Sequence, residues 1–479
     1  MINRDFIFGY GAGKASAGPP VVIESLSVTE NGEYTAPTGK AYSPVNVNVP
    51  NTYVAADEGK VVSNGALVSQ TSTSVTQNGT IDTTLNNSVV VDVPTGGGSA
   101  ERNDVNFYDY DGTIVASYSA ADFANLAAAP ANPTHEGLTA QGWNWSLIDA
   151  KNYVLFCGML DIGQMYTTSD GKTRVYIELE EGRLSPYFGL GVNGTCDIDW
   201  GDGSTHDTLT GTSLTTNKYV RHTYAAAGAY VITVDPGSDH IGFNKVFLSK
   251  WNIATITDTC YNGAVKKVEV GNNAAINSEA FLKCYSLKTI MLPKGLTDIG
   301  NSAFNSCYSL RFVSIPKTIL TLGTSVFWQC SAMAAISFPP NITTTPNSIC
   351  SGCISLESVC VPKNATSIGS NSFNSAQSLT SVAMAYGVLS IGEAFGNCLS
   401  LMSVTIPASV TELTGAVFYS CKSLGSIKFL SPTPPTITAS NAFSGVPYDC
   451  IIYVPSGSLA AYTGATNYPS SSTYTYVEY

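Results

Sequence analysis

Ala303–Ser325 reads AFNSCYSLRFVSIPKTILTLGTS, and the same unit returns along the whole C-terminal half of the chain. Its anchor belongs to the series Phe281, Phe304, Phe327, Cys350, Phe373, Phe395, Phe418 and Phe443, spaced by 23, 23, 23, 23, 22, 23 and 25 residues. A fixed period of roughly 20–50 residues is the mark of a coiled repeat architecture. Three residues after each anchor come Cys284, Cys307, Cys330, Cys353, Ala376, Cys398 and Cys421. Three further on come Leu287, Leu310, Met333, Leu356, Leu379, Leu401 and Leu424, and the stretch then often closes on proline: Pro293, Pro316, Pro339, Pro362, Pro407. Within a unit the alternation is that of a strand, with Leu287, Ile290 and Leu292 facing in and Met291 facing out. A second apolar set, Leu296 with Ile299 ahead of Gly300, lines the return side of the coil. One unit cannot bury its own apolar edge, whereas stacked units share a continuous core. The expected fold is therefore mainly β, ending in a right-handed solenoid with one parallel sheet over residues 251–446. A degenerate first unit (Val265, Val268, Val270, Ile276) and the segment 447–479 serve as caps.

The period, the Phe and Cys columns and the closing IIYVPSGSLAAY at 451–462 resemble the Treponema-type, or BspA-like, leucine-rich repeat family. The columns need little else to explain them. Six cysteines share one column and Cys350 takes an anchor place, so buried free thiols are expected rather than disulfides. The CSGC string at 350–353 has core places for both its thiols, and a chain with 4 histidines offers little to complete a zinc site. No metal and no cofactor is expected.

Composition narrows the partners. Of the 479 residues 12% are charged, about half the ~25% of an ordinary soluble domain. The net charge is −12, so the basic field that nucleic acid or an anionic membrane requires is missing. No apolar stretch approaches the ~20 residues that span a bilayer. The opening MINRDFIFGYGAGKASAGPP lacks the roughly 7–15-residue apolar core of a secretory signal, so export by that route is not expected.

Smaller modules precede the repeats. Residues 173–240 carry the alternating Asp197–Trp200, a GDGS turn at 201–204 and the strand Tyr230–Val234. WGDGS with HTYAAAGAYVITV resembles the polycystic-kidney-disease (PKD) type of immunoglobulin-like domain, which implies a β-sandwich spacer. Asp199 and Asp202 suit turn amides better than calcium. In 103–172, EGLTAQGW resembles the closing element of Listeria–Bacteroides repeats and implies a small β-rich unit. His135 and Glu136 there are expected in a solvated turn, since no nucleophile stands near them.

At the N-terminus SVTENGEYT and PVNVNVP (27–50) recur as SVTQNGTID and VVVDVP (74–94). Each copy reads as a strand, an Asn-Gly turn and an alternating valine strand, giving small β repeats over 22–50 and 51–95. Residues 1–21 form a Gly-rich leader, and 96–102 hold a GGGS linker. These copies resemble modules of phage tail and fibre proteins from gut bacteria.

No GxxxxGK[ST], HExxH or GxSxG motif occurs, so a binding protein is expected rather than an enzyme. The first expectation is a virion adhesin of the tail-fibre, receptor-binding type. Its leader and N-terminal repeats join other virion structural proteins, and its solenoid binds a host cell-surface protein or glycan. Such a chain assembles in the host cytoplasm, with homo-oligomers possible. The alternative is a bacterial cell-surface leucine-rich-repeat adhesin, and a third reading is a glycan-binding accessory protein or enzyme. Outward positions of successive units place Lys288, Arg311, Phe312 and Glu357 in one patch, with one exposed aromatic among polar groups, as the expected ligand surface.

Overall fold

In the computed structural model residues 104–244, 248 and 262–479 are described with their side chains, and eight strands between Val22 and Val91 by their backbone pairing. The chain forms two units, 1–101 and 102–479.

In the first unit the two N-terminal copies interleave instead of forming separate hairpins. Gly32–Thr35 of the first copy pairs antiparallel with Ser88–Val91 of the second, and Lys40–Val47 pairs with Gly79–Ile81. Near-identical strands offer near-identical ladders, so local sequence does not choose between own-copy and cross-copy partners. The Gly-rich leader and the GGGS linker lie outside the described residues.

The second unit contains the solenoid that the repeat predicts. Parallel pairing recurs along one side of the coils in successive runs: Val265–Glu269 with Thr289–Met291, Ser314 with Ser337, Ser358–Cys360 with Ser381–Ala383, and Ser403–Ile406 through Ser426–Phe429 to Ile451–Val454. We call this the front. The return side adds parallel pairing beyond the single expected sheet, in two runs, Ala274–Ile276 through Asp298–Ile299 to Thr321–Leu322 and Thr344–Thr345 through to Thr436–Ile437. It forms because the Leu296/Ile299 column is itself two residues of extended chain per coil. Gly300 and Gly323 permit it: a Cβ on Gly300 would meet the Asn277 backbone at 2.3 Å, and one on Gly323 the Asn301 backbone at 2.4 Å.

Between the ladders the anchors stack. Phe304 lies 5.2 Å from Phe281 and 5.4 Å from Phe327, with rings within 4° and 6° of parallel, and all three are fully buried. Turning the corner around the anchors from Phe281 to Phe373 takes left-handed backbone two residues before and two after each, and at Phe395, Phe418 and Phe443 two residues after. Ser302 and Ser306 flank Phe304 with φ of 54° and 60°, and Ser325 and Gln329 flank Phe327 with 55° and 59°.

Residues 173–243 do not make the free-standing sandwich expected of a PKD-like module. Thr173–Leu179 pairs antiparallel with the first front strand, and His240–Phe243 pairs parallel with the first return strand. The long strand Tyr187–Asp199 joins both sides, meeting Gly228–Asp235 at 197–199 and His240–Phe243 at 191–193. The core of Phe188, Trp200, Tyr224 and Ile232 consequently runs without a break into Phe243 and Phe281, 5.2 Å apart. The unpaired edge of a first coil explains this: a cap that continues both ladders leaves no free N–H row. At the other end Thr475–Glu478 pairs with Ile451–Val454, and Tyr462 is buried against Phe429.

Residues 104–168 form a four-stranded sheet in the order Ile114–Tyr118, Val105–Tyr108, Leu160–Thr168, Leu138–Trp143, with two helices, α1 (Ala120–Ala124) and α2 (Leu147–Cys157). The sequence reading expected strands alone. Both helices start on a serine that accepts from the amide three residues on, Ser119 from Asp122 and Ser146 from Asp149, and α2 ends at Gly158 with φ of 75°. No helix among the described residues is long and apolar enough to cross a membrane.

Truncating Phe304→Ala removes the middle ring of a buried stack and is expected to destabilise the second unit by about 3–5 kcal/mol in urea unfolding. A loss under about 1 kcal/mol would place the column outside the core.

Candidate binding surface

The expected ligand patch is divided by a neighbour that the repeat does not announce. Lys288, Arg311 and Glu357 stand exposed in one column of the front side, with Ala334 in the coil between the last two and bonded through its backbone to both Arg311 and Glu357. Phe312 is not with them at the surface. It is 2% exposed, stacked at 4.7 Å and 24° beneath Tyr108 of the 104–168 module. The module lies across the front sheet, so outward-facing here means buried at a second interface.

The seam is built from polar anchors in an apolar floor. Asn144 donates to the carbonyls of Ile315 and Ser337, and Trp145 Nε1 donates to Phe338 O at 2.8 Å. Ser337 Oγ donates to Asp161 O, and Tyr153 OH to Val361 O at 2.7 Å. At the rim Lys363 meets Asp149 at 2.8 Å; this ammonium and the Ser146 hydroxyl hold the Asp149 carboxyl below its usual value. Contact is closest at Gly163, where an added Cβ would fall 2.2 Å from Ser314 Oγ. One sequence signal was available. The second outward position of successive coils runs Ser314, Ser337, Cys360, Ala383, small residues that let another backbone approach.

His135 does not pair with Glu136. Its Nε2 contacts Asp109 Oδ2 at 2.7 Å, and its ring meets the edges of Tyr110 and Tyr166. Glu136 is exposed. The same cluster holds Lys267, which donates to Tyr110 OH at 3.0 Å and pairs with Glu269 at 2.8 Å. These groups tie the module to the first front strand.

In the GDGS turn Asp199 accepts from the Gly201 amide and Asp202 from the Ser204 amide. Asp202 also meets His222 at 2.8 Å, and the His222 ring lies flat on Trp200 at 4.6 Å. Among the described residues no group of three or more His, Cys, Asp or Glu is placed to hold a metal.

With the coil geometry in hand, the comparison with family models is specific. Residues 254–380 and 346–457 match the BspA type leucine rich repeat region, in six copies. The matched residues are the coils of the solenoid, so this part of the chain is similar to that repeat region. Among solved structures the chain is similar to a leucine-rich repeat protein from Bacteroides ovatus, at 27% identity and a TM-score of 0.35, covering 39% of this chain and 48% of that one. It is also similar to a leucine rich cell surface protein from Faecalibacterium prausnitzii, at 23% identity and 0.31, covering 41% and 62%. The matches thus span about half to three-fifths of those chains. No curated protein matches.

The cysteine column of the leucine-rich repeat has a structural use that spacing did not reveal. Cys307, Cys330 and Cys353 each donate Sγ–H to the carbonyl of the anchor phenylalanine one coil back, Phe281, Phe304 and Phe327, at 3.2 Å. Cys398 and Cys421 do the same for Phe373 and Phe395. The thiols are buried and unbonded, and burial pushes Cys307 and Cys330 well up, toward the neutral form that donates.

Two consequences are measurable. Gly163→Ala forces the module off Ser314 and is expected to cost about 1–3 kcal/mol in urea unfolding. Ser314→Gly in the same chain restores part of it; an unchanged stability in the single variant would mean that the two faces are not in contact. The second concerns acid. Burial works against the Asp202 charge, but hydrogen bonds from Ser204 and His222 outweigh it and hold the carboxyl at about 2, below the ordinary 3.8. Its stabilisation is therefore complete above about pH 3.8 and is lost as pH falls toward 2. Asp202→Asn should flatten the acid limb of the stability profile over that window; identical limbs would show that the carboxylate contributes nothing.

Proposed function

We propose that this chain is a bacterial cell-surface leucine-rich-repeat protein of the adhesin type, a binding protein rather than an enzyme. The observation that carries the reading is the match of residues 254–457 to the BspA-type repeat. This supports the cell-surface expectation over the virion one, whose basis was the N-terminal copies rather than the solenoid. The solenoid acts as a rigid rack. Its front sheet holds the 104–168 module, and what it offers to a host or neighbouring-cell molecule is its solvent-exposed surface, including the row of Lys288, Arg311 and Glu357. The three charges share one column of the repeat, interrupted at Ala334, so the backbone of the coils fixes their spacing.

Immunogold labelling with antibody to the full chain tests the reading. Label on intact cells of the producing strain is expected. Label on released phage particles and none on cells would return the virion reading.

A further inference from the structure

Where α2 meets the solenoid a pocket of about 390 Å³ opens, lined by Asn152, Tyr153, Phe156, Cys157, Lys363, Asn364, Ala385 and Tyr386. It exists only because the module is docked, since four of these residues come from each side. Two aromatic side chains at its rim are left in water: Phe156 is 80% and Tyr386 74% exposed. Burying either would stabilise the chain, so their exposure by the same opening is a departure from what folding alone favours.

The repeat itself departs at this place. The unit from Phe373 to Phe395 is 22 residues long, one short of its neighbours, and has Ala376 where the column has cysteine. It also has Ala385 where five other units have proline, and Tyr386 where three of them have Lys294, Lys317 and Lys363. Nothing in the stacking of the coils asks for a tyrosine in that column.

We infer that this pocket is a binding site for an uncharged sugar ring, one residue of a neutral glycan. The chemistry of the lining selects it. The one cation, Lys363, is neutralised by Asp149 at 2.8 Å, so no unpaired charge awaits an ionic ligand. The remaining polar side chains reaching the opening include two amides, Asn152 and Asn364, exposed and without hydrogen-bond partners among the described residues. The floor is apolar: Ala385 and Tyr153 are buried, and the Tyr153 hydroxyl is already committed to Val361 O. A pyranose matches this division. Its axial C–H groups carry partial positive charge and rest on the negative faces of Phe156 and Tyr386. Its hydroxyls, which donate and accept, meet the two amides, which do the same. An apolar side chain of a protein partner would fill the floor but bury the amides unpaired, which disfavours it. The volume falls in the range of small-molecule sites, roughly 300–1,000 Å³, and such sites favour domain seams. The inference does not depend on where the chain is displayed.

The test applies the full-length chain to an array of neutral, sialylated and sulfated oligosaccharides and titrates the best neutral probe calorimetrically. Phe156→Ala/Tyr386→Ala should weaken that binding at least about tenfold, with the melting temperature unchanged because both side chains are exposed. Tyr308→Ala, an exposed aromatic stacked on Tyr285 away from the pocket residues, should leave it intact. Binding confined to anionic glycans, binding that the double variant retains, or no glycan bound overturns the inference. So does a peptide from a displayed library that binds the parent through an apolar residue and loses binding in the double variant while no glycan competes.

Discussion

A coil of this solenoid has two apolar edges and can close neither by itself, and that constraint organises residues 102–479. Inside the stack the edges close on each other through the phenylalanine column, and the thiols of Cys307, Cys330, Cys353, Cys398 and Cys421 each satisfy a carbonyl of the preceding coil. The geometry is demanding. Left-handed backbone at Ser302, Ser306, Ser325 and Gln329 costs on the order of 1 kcal/mol per residue for a side chain with a Cβ. That this conformation recurs in the same two columns, on serine, glutamine, lysine and asparagine alike, shows that it is imposed by the corner and not by residue preference. Burial of the anchor between the two strained residues outweighs it.

The same constraint explains the ends. A first coil presents two ladders, front and return, and the 173–243 segment closes both by sending one strand into each. The bent Tyr187–Asp199 strand joins them across the top. A separately folded sandwich on a linker would have left the first coil open. The WGDGS turn is accordingly a device for holding Trp200 over the top of the core, with Tyr224 OH bonded to Trp200 O and His222 stacked on the indole.

How much of this is legible in the sequence divides along one line. Contacts repeated in every coil are written several times over, so the Phe, Cys and Leu columns, the inward assignment of Ile290 and the burial of the thiols can all be read from spacing. Contacts made once are written once. Phe312 occupies an outward position by any periodicity argument, and periodicity cannot say whether water or Tyr108 lies above it. The alternation of Met291 and Ser314 is equally silent, though the run of small residues from Ser314 to Ala383 is a trace of the covering module. Helix α2 was missed because its apolar residues do not alternate with polar ones: Ile148, Leu155 and Phe156 are exposed while Ala150, Tyr153 and Val154 are buried. Its caps, Ser146 with Asp149 and Gly158, were the stronger signal.

A repeat protein supplies its own baseline, and departures from the unit therefore sort by what they touch. Phe312, and the small residues at Ser314 and Ser337, depart from their column-mates because the module rests on them, so structure accounts for them in full. Ala376 also has a packing account, since it lies buried in a coil shortened by one residue. Tyr386 has none: it is neither under the module nor in the core, and its ring stands at the mouth of a cavity that the docking creates. Residues whose identity neither stacking nor docking explains are those left to a ligand, and on the solenoid side of this pocket the sorting leaves Tyr386, opposite Phe156, which α2 equally leaves in water.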